Sequence, residues 1–211
     1  VEDQALVGDA LVEKLKALSE WAQAMGSINT LNDGPVTTED GLKKAIESVS
    51  AGETISLDGN ITLTSDTPLK IDNKGTKDNP IVIDFNGHTI TGNNSQIGTA
   101  YTNPTPGGVL WIAQSYVKLV DSSSGSNGGI INNYDGSNAA ICILVTSKED
   151  GGTAGLTIEE GVQVKIPEAG TSAKALYAYT KTGYPETTIT VNDIDLESSG
   201  YLVYASTGNG G

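Results

Sequence analysis

Beyond Gly52 the sequence is dominated by short segments in which alternate residues are hydrophobic, many of them only three to five residues long. A period of two is typical of β-strands, because successive side chains on a strand point to opposite faces. Residues 80–92, PIVIDFNGHTITG, show it most clearly, with Ile81, Ile83 and Phe85 on one face and a turn at Asn86 and Gly87. Together with 26 Gly and only 5% aromatic residues, the pattern predicts a mostly β fold.

Two architectures fit these strands. Asn-Gly between alternating apolar residues is a strong hairpin signal, whereas a solenoid would bring a similar strand back after each circuit. Grouping the segments by recurrence, at steps of about 26 to 35 residues, gives three series: 55, 81, 109, 141, 176 and 202; 61, 90, 117, 156 and 189; and 69, 97, 130, 164 and 196. The recurrence favours parallel coils over the hairpin.

The first 27 residues have a different period. Apolar residues alternate at spacings of four and three, which predicts an amphipathic helix with a short heptad seam. The seam consists of Leu11, Leu15, Leu18, Ala22 and Met25. This helix could pack on its own domain, self-associate as a trimer, or dock on another protein, and we assign it an anchoring or oligomerising role. Residues 28–36 then have the Asn, Gly and Pro content of a linker.

A second, shorter amphipathic helix is predicted over about residues 38–51. Thr37 and Thr38 offer an N-cap hydroxyl and are followed by two acids, which suit a helix N-terminus. Leu42, Ala45, Ile46 and Val49 form one apolar stripe, and Gly52 follows as a stop signal.

The succession GLKKAIESVSAGETISLDGNITLT followed by PIVIDFNGHTITG resembles the entry to right-handed parallel β-helix domains of the pectin-lyase-like type. The resemblance covers about residues 37 to 204. It implies that the helix at 38–51 covers the open end of the first coil, and that a β-helix occupies residues 37–211. It marks a fold more than an activity.

The charge of the chain excludes some classes of partner. The formal net charge is −14, and all 12 basic residues are Lys. A chain this acidic repels nucleic-acid phosphates and anionic membranes, and no apolar run approaches the roughly 20 residues that span a bilayer. The one cysteine, Cys142, lies in the apolar run AAICILV and is expected to be a buried thiol.

No set of residues in the sequence predicts a catalytic or metal site, and no cofactor is expected. His88 stands alone, and a general base needs a positioned partner. Asp193 and Asp195 share a face that would suit Ca²⁺, although a solvated acidic face is the simpler interpretation. The pairs Glu159-Glu160 and Glu149-Asp150 are adjacent residues, whereas glycoside hydrolysis needs two carboxylates facing each other across a cleft.

The aromatic residues gather after residue 100 and are the candidate contact residues. Aromatic faces stack on sugars, dominate protein interfaces, or simply fill cores. We select Trp111, Tyr116, Tyr177 and Tyr179 as candidate ligand contacts and expect them to be exposed.

An associating helix, a linker and an extended coil describe an anchored rod without enzymatic activity. The segment ALVEKLKALSEWAQAMG followed by β-structure is similar to head fibre and other trimeric fibre proteins of phages, which implies a virion fibre or decoration protein. Its partners would be a capsid protein at the helix and a host-surface glycan. The alternatives are a bacterial cell-surface adhesin and, from another class, a polysaccharide lyase or glycoside hydrolase. The last segment, YLVYASTGNGG, has no capping element, so we expect further chain or another subunit to cover it.

Overall fold

The structure is a computed structural model that describes residues 35–65, 67–94, 108–125, 127–136, 140–147, 152–181, 183 and 185–208. The predicted helix at residues 1–27, with Leu11, Leu15, Leu18, Ala22 and Met25, lies outside the described residues, and so do residues 28–34 of the predicted linker. The anchoring and oligomerising role of that helix therefore stays a prediction.

The described chain forms one helix and three parallel sheets of five strands each. The helix, α1, is Glu39–Ser48. The first sheet contains β1 (Thr54–Ser56), β4 (Ile81–Asp84), β7 (Tyr116–Val120), β10 (Ala154–Ile158) and β13 (Thr187–Val191). The second contains β2 (Ile61–Thr62), β5 (Thr89–Gly92), β8 (Gly129–Asn132), β11 (Gln163–Ile166) and β14 (Asp195–Ser198). The third contains β3 (Leu69–Asp72), β6 (Leu110–Ala113), β9 (Ile141–Thr146), β12 (Lys174–Lys181) and β15 (Tyr201–Gly208).

Each of the strands β1 to β12 pairs in parallel with the strand three places later in the chain. The chain therefore visits all three sheets in turn and stacks each circuit on the one before, which is the topology of a parallel β-solenoid. The two strands that flank Asn86 and Gly87, β4 and β5, belong to different sheets, so the hairpin interpretation of this segment is wrong.

The predicted strand series were correct for the first coil and for the strands at 81 and 90 of the second coil, and they were wrong from position 109 onward. The first sheet recurs near residues 55, 81, 117, 156 and 189, whereas positions 109, 141, 176 and 202 belong to the third sheet. Position 97 of the third series lies outside the described residues. The third-sheet strand of that circuit is β6, beyond a longer insertion, so each later strand was assigned to the neighbouring series.

The core consists of aliphatic columns that run from coil to coil. The registers align one inward-facing column in each sheet: Ile55, Ile83, Leu119, Ile158 and Val191 in the first; Ile61, Ile90, Ile130, Val164 and Leu196 in the second; and Leu69, Leu110, Ile143, Leu176 and Val203 in the third. In the first four coils every member is at most 2% exposed. Burial of Ile81, Ile83, Phe85 and Ile90 confirms the predicted core face of the opening segment.

The corner after β4 needs backbone angles that most residues avoid. Asn86 and Gly87 have φ values of 47° and 80°, in the left-handed region that Gly and Asn tolerate best. Gly87 N–H donates to Asp121 Oδ1 of the next coil at 2.7 Å, and Gly128 N–H donates to Asp121 Oδ2 at 2.7 Å. Burial alone would raise the pKa of Asp121, but these N–H donors and Ser123 outweigh it and lower the pKa.

The predicted N-terminal cap is present as α1. Thr38 is its N-cap and accepts a hydrogen bond from Gly41 N–H at 3.1 Å, while Leu42, Ala45 and Ile46 are buried in the same core cluster as the first coil. At the other end, Lys74 Nζ donates to the carbonyl of Glu47 at 2.6 Å and to that of Val49 at 3.0 Å. Of the described residues, none belongs to a helix long and apolar enough to cross a membrane.

The burial of the aliphatic columns predicts that shortening one of their side chains will destabilise the protein. Replacing Ile83 with Ala removes a side chain that is 1% exposed and leaves a cavity between coils, which should lower the free energy of unfolding by about 2–5 kcal/mol. The matched control is Val82→Ala, because Val82 is only partly buried on the outward face of the same strand. Urea denaturation of the two variants measures the difference. An equal loss in both would contradict the inward assignment of Ile83.

A second prediction concerns the cap. Glu39 Oε1 lies 2.6 Å from Lys43 Nζ, and Oε2 accepts hydrogen bonds from the N–H and hydroxyl of Thr64, at 2.6 and 2.8 Å. Lys43, the Thr64 N–H and the Thr64 hydroxyl outweigh the opposing effect of burial and lower the pKa of Glu39 from 4.5 to about 2. Because the folded-state pKa is depressed, the stabilisation is complete above pH 4.5 and is lost as the pH falls towards about 2.

Glu39→Gln should therefore destabilise the protein by about 1–2 kcal/mol near neutral pH, and the deficit should shrink as the pH is lowered through that window. Glu47→Gln, on the exposed side of the same helix, is the control and should change little at either pH. Urea denaturation at several pH values provides the measurement. A deficit that does not depend on pH would rule out the charge of Glu39 as its cause.

Candidate binding surface

The outer face of the third sheet carries a row of large side chains at a single register. We call the set Lys70, Trp111, Leu144, Tyr177 and Tyr204 the outer row; the five residues are register partners on successive coils. Their neighbours along the strands, such as Leu110 and Ile112, belong to the main core, whereas Trp111, Leu144 and Tyr177 form a separate hydrophobic cluster. The third sheet is therefore hydrophobic on both faces.

An interruption of the alternation produces this second cluster. In three coils, two successive residues belong to the main core: Val109 and Leu110, Cys142 and Ile143, and Ala175 and Leu176. The strict inward–outward alternation resumes after each pair. The change of phase turns Leu144 and Tyr177 outward, although a simple alternation counted from Cys142 and Ala175 would place both in the core.

Three of the four candidate contact residues lie in this cluster, but the expectation that they are exposed was wrong. Trp111 is 8% exposed, Tyr177 is 2% exposed and Tyr179 is 6% exposed. Trp111 Nε1 donates to Thr146 Oγ1 at 2.9 Å, and Lys70 Nζ lies 4.5 Å from the centre of the Trp111 ring. The ring of Trp111 thus has partners on its edge and on one face.

The fourth candidate, Tyr116, lies on a different sheet. It is part of β7 in the first sheet, is partly buried, and its hydroxyl lies 2.7 Å from Thr153 Oγ1. Its ring packs over Gly155 of the next coil, where an added Cβ would lie 2.6 Å from Tyr116 Cδ1. Tyr116 therefore does not join the other three candidates, and its contacts indicate a role in packing neighbouring coils.

The accessible part of the surface is centred on Lys174. Its Nζ lies 5.6, 5.7 and 5.0 Å from the ring centres of Tyr177, Tyr201 and Tyr204, and we call these four residues the Lys174 cluster. The Tyr204 ring stands 5.2 Å from each of the other two rings, edge-on to Tyr177 and tilted to Tyr201. Lys174 and Tyr204 are half-buried, whereas Tyr201 is 49% exposed.

The electrostatics of the cluster follow from this burial. Desolvation lowers the pKa of Lys174, and its Nζ donates to the Ser172 carbonyl at 2.9 Å. Within the described part of the chain, no carboxylate forms a salt bridge with it. The negative faces of the three rings compensate for the hydration that the Lys174 ammonium group loses, because a cation over an aromatic face is attracted by the ring quadrupole.

Two of the acidic residues considered from the sequence, Asp195 and Glu159, are paired with lysines that do not belong to this cluster. Asp195 Oδ2 pairs with Lys165 Nζ at 2.5 Å, and Glu159 Oε1 pairs with Lys118 Nζ at 2.6 Å while Oε2 accepts from Asn192 Nδ2 at 2.9 Å. The Lys118 and Asn192 contacts lower the pKa of Glu159. Across the described residues, no three acidic, Cys or His side chains are grouped closely enough to hold a metal ion.

His88 and Cys142 both lie where their contacts are with the fold itself: His88 at a corner and Cys142 in the core. The main chain of His88 spans the corner, with its N–H donating to Phe85 at 2.8 Å and its carbonyl accepting from Gly129 N–H at 3.0 Å. Cys142 is fully buried, its Sγ lies 3.6 Å from the Ile130 carbonyl, and burial raises the pKa of the thiol. Glu149 and Asp150 lie outside the described residues.

Sequence reasoning missed Lys174, and it did not select Tyr201 and Tyr204 from the aromatic residues that lie after residue 100. The signal was present in two strands of equal length, KALYAYTK and YLVYASTG, which pair along their whole length. Aligning the two strands would have placed Lys174 beside Tyr201, and Tyr177 beside Tyr204. The predicted series already placed positions 176 and 202 on successive coils, and what was missing was the residue-by-residue register of the two strands.

No protein-family model matches this chain, and no curated protein or solved structure is significantly similar to it. The chain's own residues and strand order therefore carry the interpretation of its fold and surface.

Proposed function

We propose that this chain is a non-enzymatic, adhesive β-solenoid that presents the Lys174 cluster as a contact surface. The observation that carries the proposal is the half-exposed ring of Tyr201, held beside a lysine that has no carboxylate partner among the described residues. An exposed aromatic face stacks on the apolar side of a sugar ring, and a lysine donates hydrogen bonds to the hydroxyl or carboxylate groups of the sugar. A host-surface glycan is the ligand class that best fits both groups.

The solenoid supports such a role mechanically. Continuous main-chain ladders connect five coils in each sheet, and aliphatic columns fill the interior. We propose that the coil is right-handed, because nearly all parallel β-crossovers have that hand. A rod of this kind needs only an exposed contact surface, whereas polysaccharide cleavage requires a pair of carboxylates converging on one bond.

We further propose that the rod is a phage virion fibre or decoration protein, anchored as a trimer through the heptad seam at its N-terminus. The support is the sequence of residues 11–25, where apolar residues follow the spacing of a coiled-coil interface. The same rod would serve equally well as a bacterial cell-surface adhesin. A glycan-binding experiment tests the contact surface whether the rod belongs to a virion or to a bacterial surface.

Binding to a glycan array, followed by calorimetry with the best ligand, tests the contact surface. Tyr201→Ala should weaken binding by about tenfold, because it removes the exposed stacking face. Leu202→Ala is the matched control, since Leu202 is the next residue and is 48% exposed against 49% for Tyr201. Failure of the wild type to bind any glycan would overturn the proposal, and so would equal losses in the two variants.

Light scattering tests the anchored trimer. The full chain should have three times the monomer mass, and Leu18→Asp on the seam should return it to a monomer because a charge would enter the apolar interface. Ala17→Asp, one residue off the seam, adds the same charge and should leave the mass unchanged. A wild-type chain that stays monomeric at high concentration would contradict the oligomerising role of the helix.

A further inference from the structure

Two Asn-Gly sequences lie at corners between the first and second sheets. Asn86-Gly87 follows β4, and Asn127-Gly128 precedes β8 on the next coil. The third such sequence in the chain, Asn209-Gly210, lies outside the described residues. Asparagine loses its side-chain amide most easily when glycine follows it, because glycine has no side chain to hinder attack by its main-chain nitrogen. The two corners are therefore chemically labile unless the fold protects them.

Deamidation of an Asn-Gly sequence is an intramolecular acyl transfer. Base removes the proton of the glycine N–H, the nitrogen attacks Cγ of the asparagine, and the Cγ–Nδ2 bond breaks with release of ammonia. The product is a five-membered succinimide, which water opens at either carbonyl carbon to give aspartate or isoaspartate. The rate therefore depends on whether the glycine nitrogen is free to lose its proton and to approach Cγ.

One carboxylate holds the glycine nitrogen of both corners. Asp121 Oδ1 accepts a hydrogen bond from Gly87 N–H and Oδ2 accepts one from Gly128 N–H, both at 2.7 Å. The adjacent negative charge opposes loss of either proton, and each bond directs the nitrogen to the carboxylate instead of to Cγ. Although burial would raise the pKa of Asp121, the N–H donors lower it, so the carboxylate stays charged at the alkaline pH that favours deamidation.

Packing restricts the same two sequences. Gly128 is buried, and an added Cβ there would lie 2.5 Å from Phe85 Cβ. Asn86 Nδ2 donates to the Leu57 carbonyl of the preceding coil at 3.2 Å, which holds the side chain that would be attacked. The Asn127 side chain is exposed, so at the second corner the fold holds the glycine nitrogen more firmly than the asparagine.

We propose that Asn86 and Asn127 are latent deamidation sites, and that Asp121 keeps both of them unreacted while the coils are stacked. Asp121 directly follows β7, so it lies on the same coil as Gly128 and one coil after Gly87. Separation of the two coils would free the Gly87 nitrogen, and opening of the loop that ends at Gly128 would free the other. The proposal is independent of glycan binding.

Reaction at Asn86 would weaken the contact between two coils. The new carboxylate oxygen would face the Leu57 carbonyl that now accepts from Nδ2, and a buried acceptor would lose its donor. It would also add negative charge near Asp84, whose Oδ1 accepts from Asn86 N–H at 3.0 Å. Isoaspartate would in addition insert a carbon atom into the main chain of a corner whose length sets the register. Deamidation thus turns a brief opening of the corner into a permanent loss of stacking.

Peptide mass spectrometry of the full chain, kept at mildly alkaline pH, measures deamidation at each site. In the folded chain both asparagines should react at least about tenfold more slowly than in the chain unfolded in urea. Asp121→Asn leaves one acceptor oxygen for two N–H groups and should raise the rate at one or both sites by at least about tenfold, while Asp121→Ala should raise it at both. Equal rates in the folded and unfolded chains, or unchanged rates in the variants, would overturn the proposal.

Asp84→Asn is the matched control. Asp84 Oδ1 accepts from the N–H groups of Asn86 and Ser122, so this variant removes the same charge from the same corner without freeing a glycine nitrogen. It should leave both deamidation rates largely unchanged. Hydrogen exchange of Phe85 N–H, which donates to the Val120 carbonyl at 2.9 Å, reports how often the corner opens in each variant. If Asp84→Asn accelerates deamidation equally, or if exchange and deamidation rise by the same factor in Asp121→Asn, the carboxylate acts only through corner stability and the proposal is wrong.

Discussion

The parallel ladder between successive coils is the interaction on which the rest of the structure depends. A strand of two to eight residues is too short to be stable alone, and here its main-chain groups bond to the equivalent strand of the next coil. The same pairing fixes the register, so that Ile83 lies between Ile55 and Leu119 instead of facing solvent. Hydrogen bonding and apolar burial therefore enforce the same alignment, and a slip of one residue would lose both.

Several polar side chains at the corners hydrogen-bond to main-chain groups of their own and neighbouring coils. Asp84 Oδ1 accepts hydrogen bonds from Asn86 N–H and from Ser122 N–H of the next coil, both at 3.0 Å. At another corner, the buried Asn132 accepts from Asn94 N–H and donates to the Ile141 carbonyl. These side chains satisfy main-chain groups that the sheets leave unpaired, which a buried turn requires.

The sequence predicted those parts of the fold that depend on local pattern. The inward face of Ile81, Ile83 and Phe85, the left-handed corner at Asn86 and the cap from Thr38 all follow from spacing and turn chemistry. The assignment of strands to sheets failed beyond the strands at 81 and 90, because an insertion changes the length of a coil without changing the strands themselves. The alternation within a strand does not show how far away in the sequence its stacking partner lies.

The candidate contact residues were predicted less well, for a different physical reason. Two successive inward residues, such as Ala175 and Leu176, reverse the phase of the strand, and only the stacked coils reveal that both are inward. Tyr177 is consequently an outward residue that is nonetheless buried, while the exposed ring belongs to Tyr201 of the next coil. Stacking between coils therefore determines which aromatic side chains are accessible, and this information is absent from any single strand.

Disulfide trapping tests the parallel stacking most directly. Thr54 and Val82 are register partners on adjacent coils, whereas Val82 and Thr91 would face each other if Asn86 and Gly87 closed a two-residue hairpin. Cysteines at Thr54 and Val82 should form a disulfide readily in a glutathione buffer, because neighbouring strands are about 4.8 Å apart and a disulfide tolerates that separation. Cysteines at Val82 and Thr91 should stay reduced. Mass spectrometry that found the second pair oxidised and the first pair reduced would contradict the stacked coil.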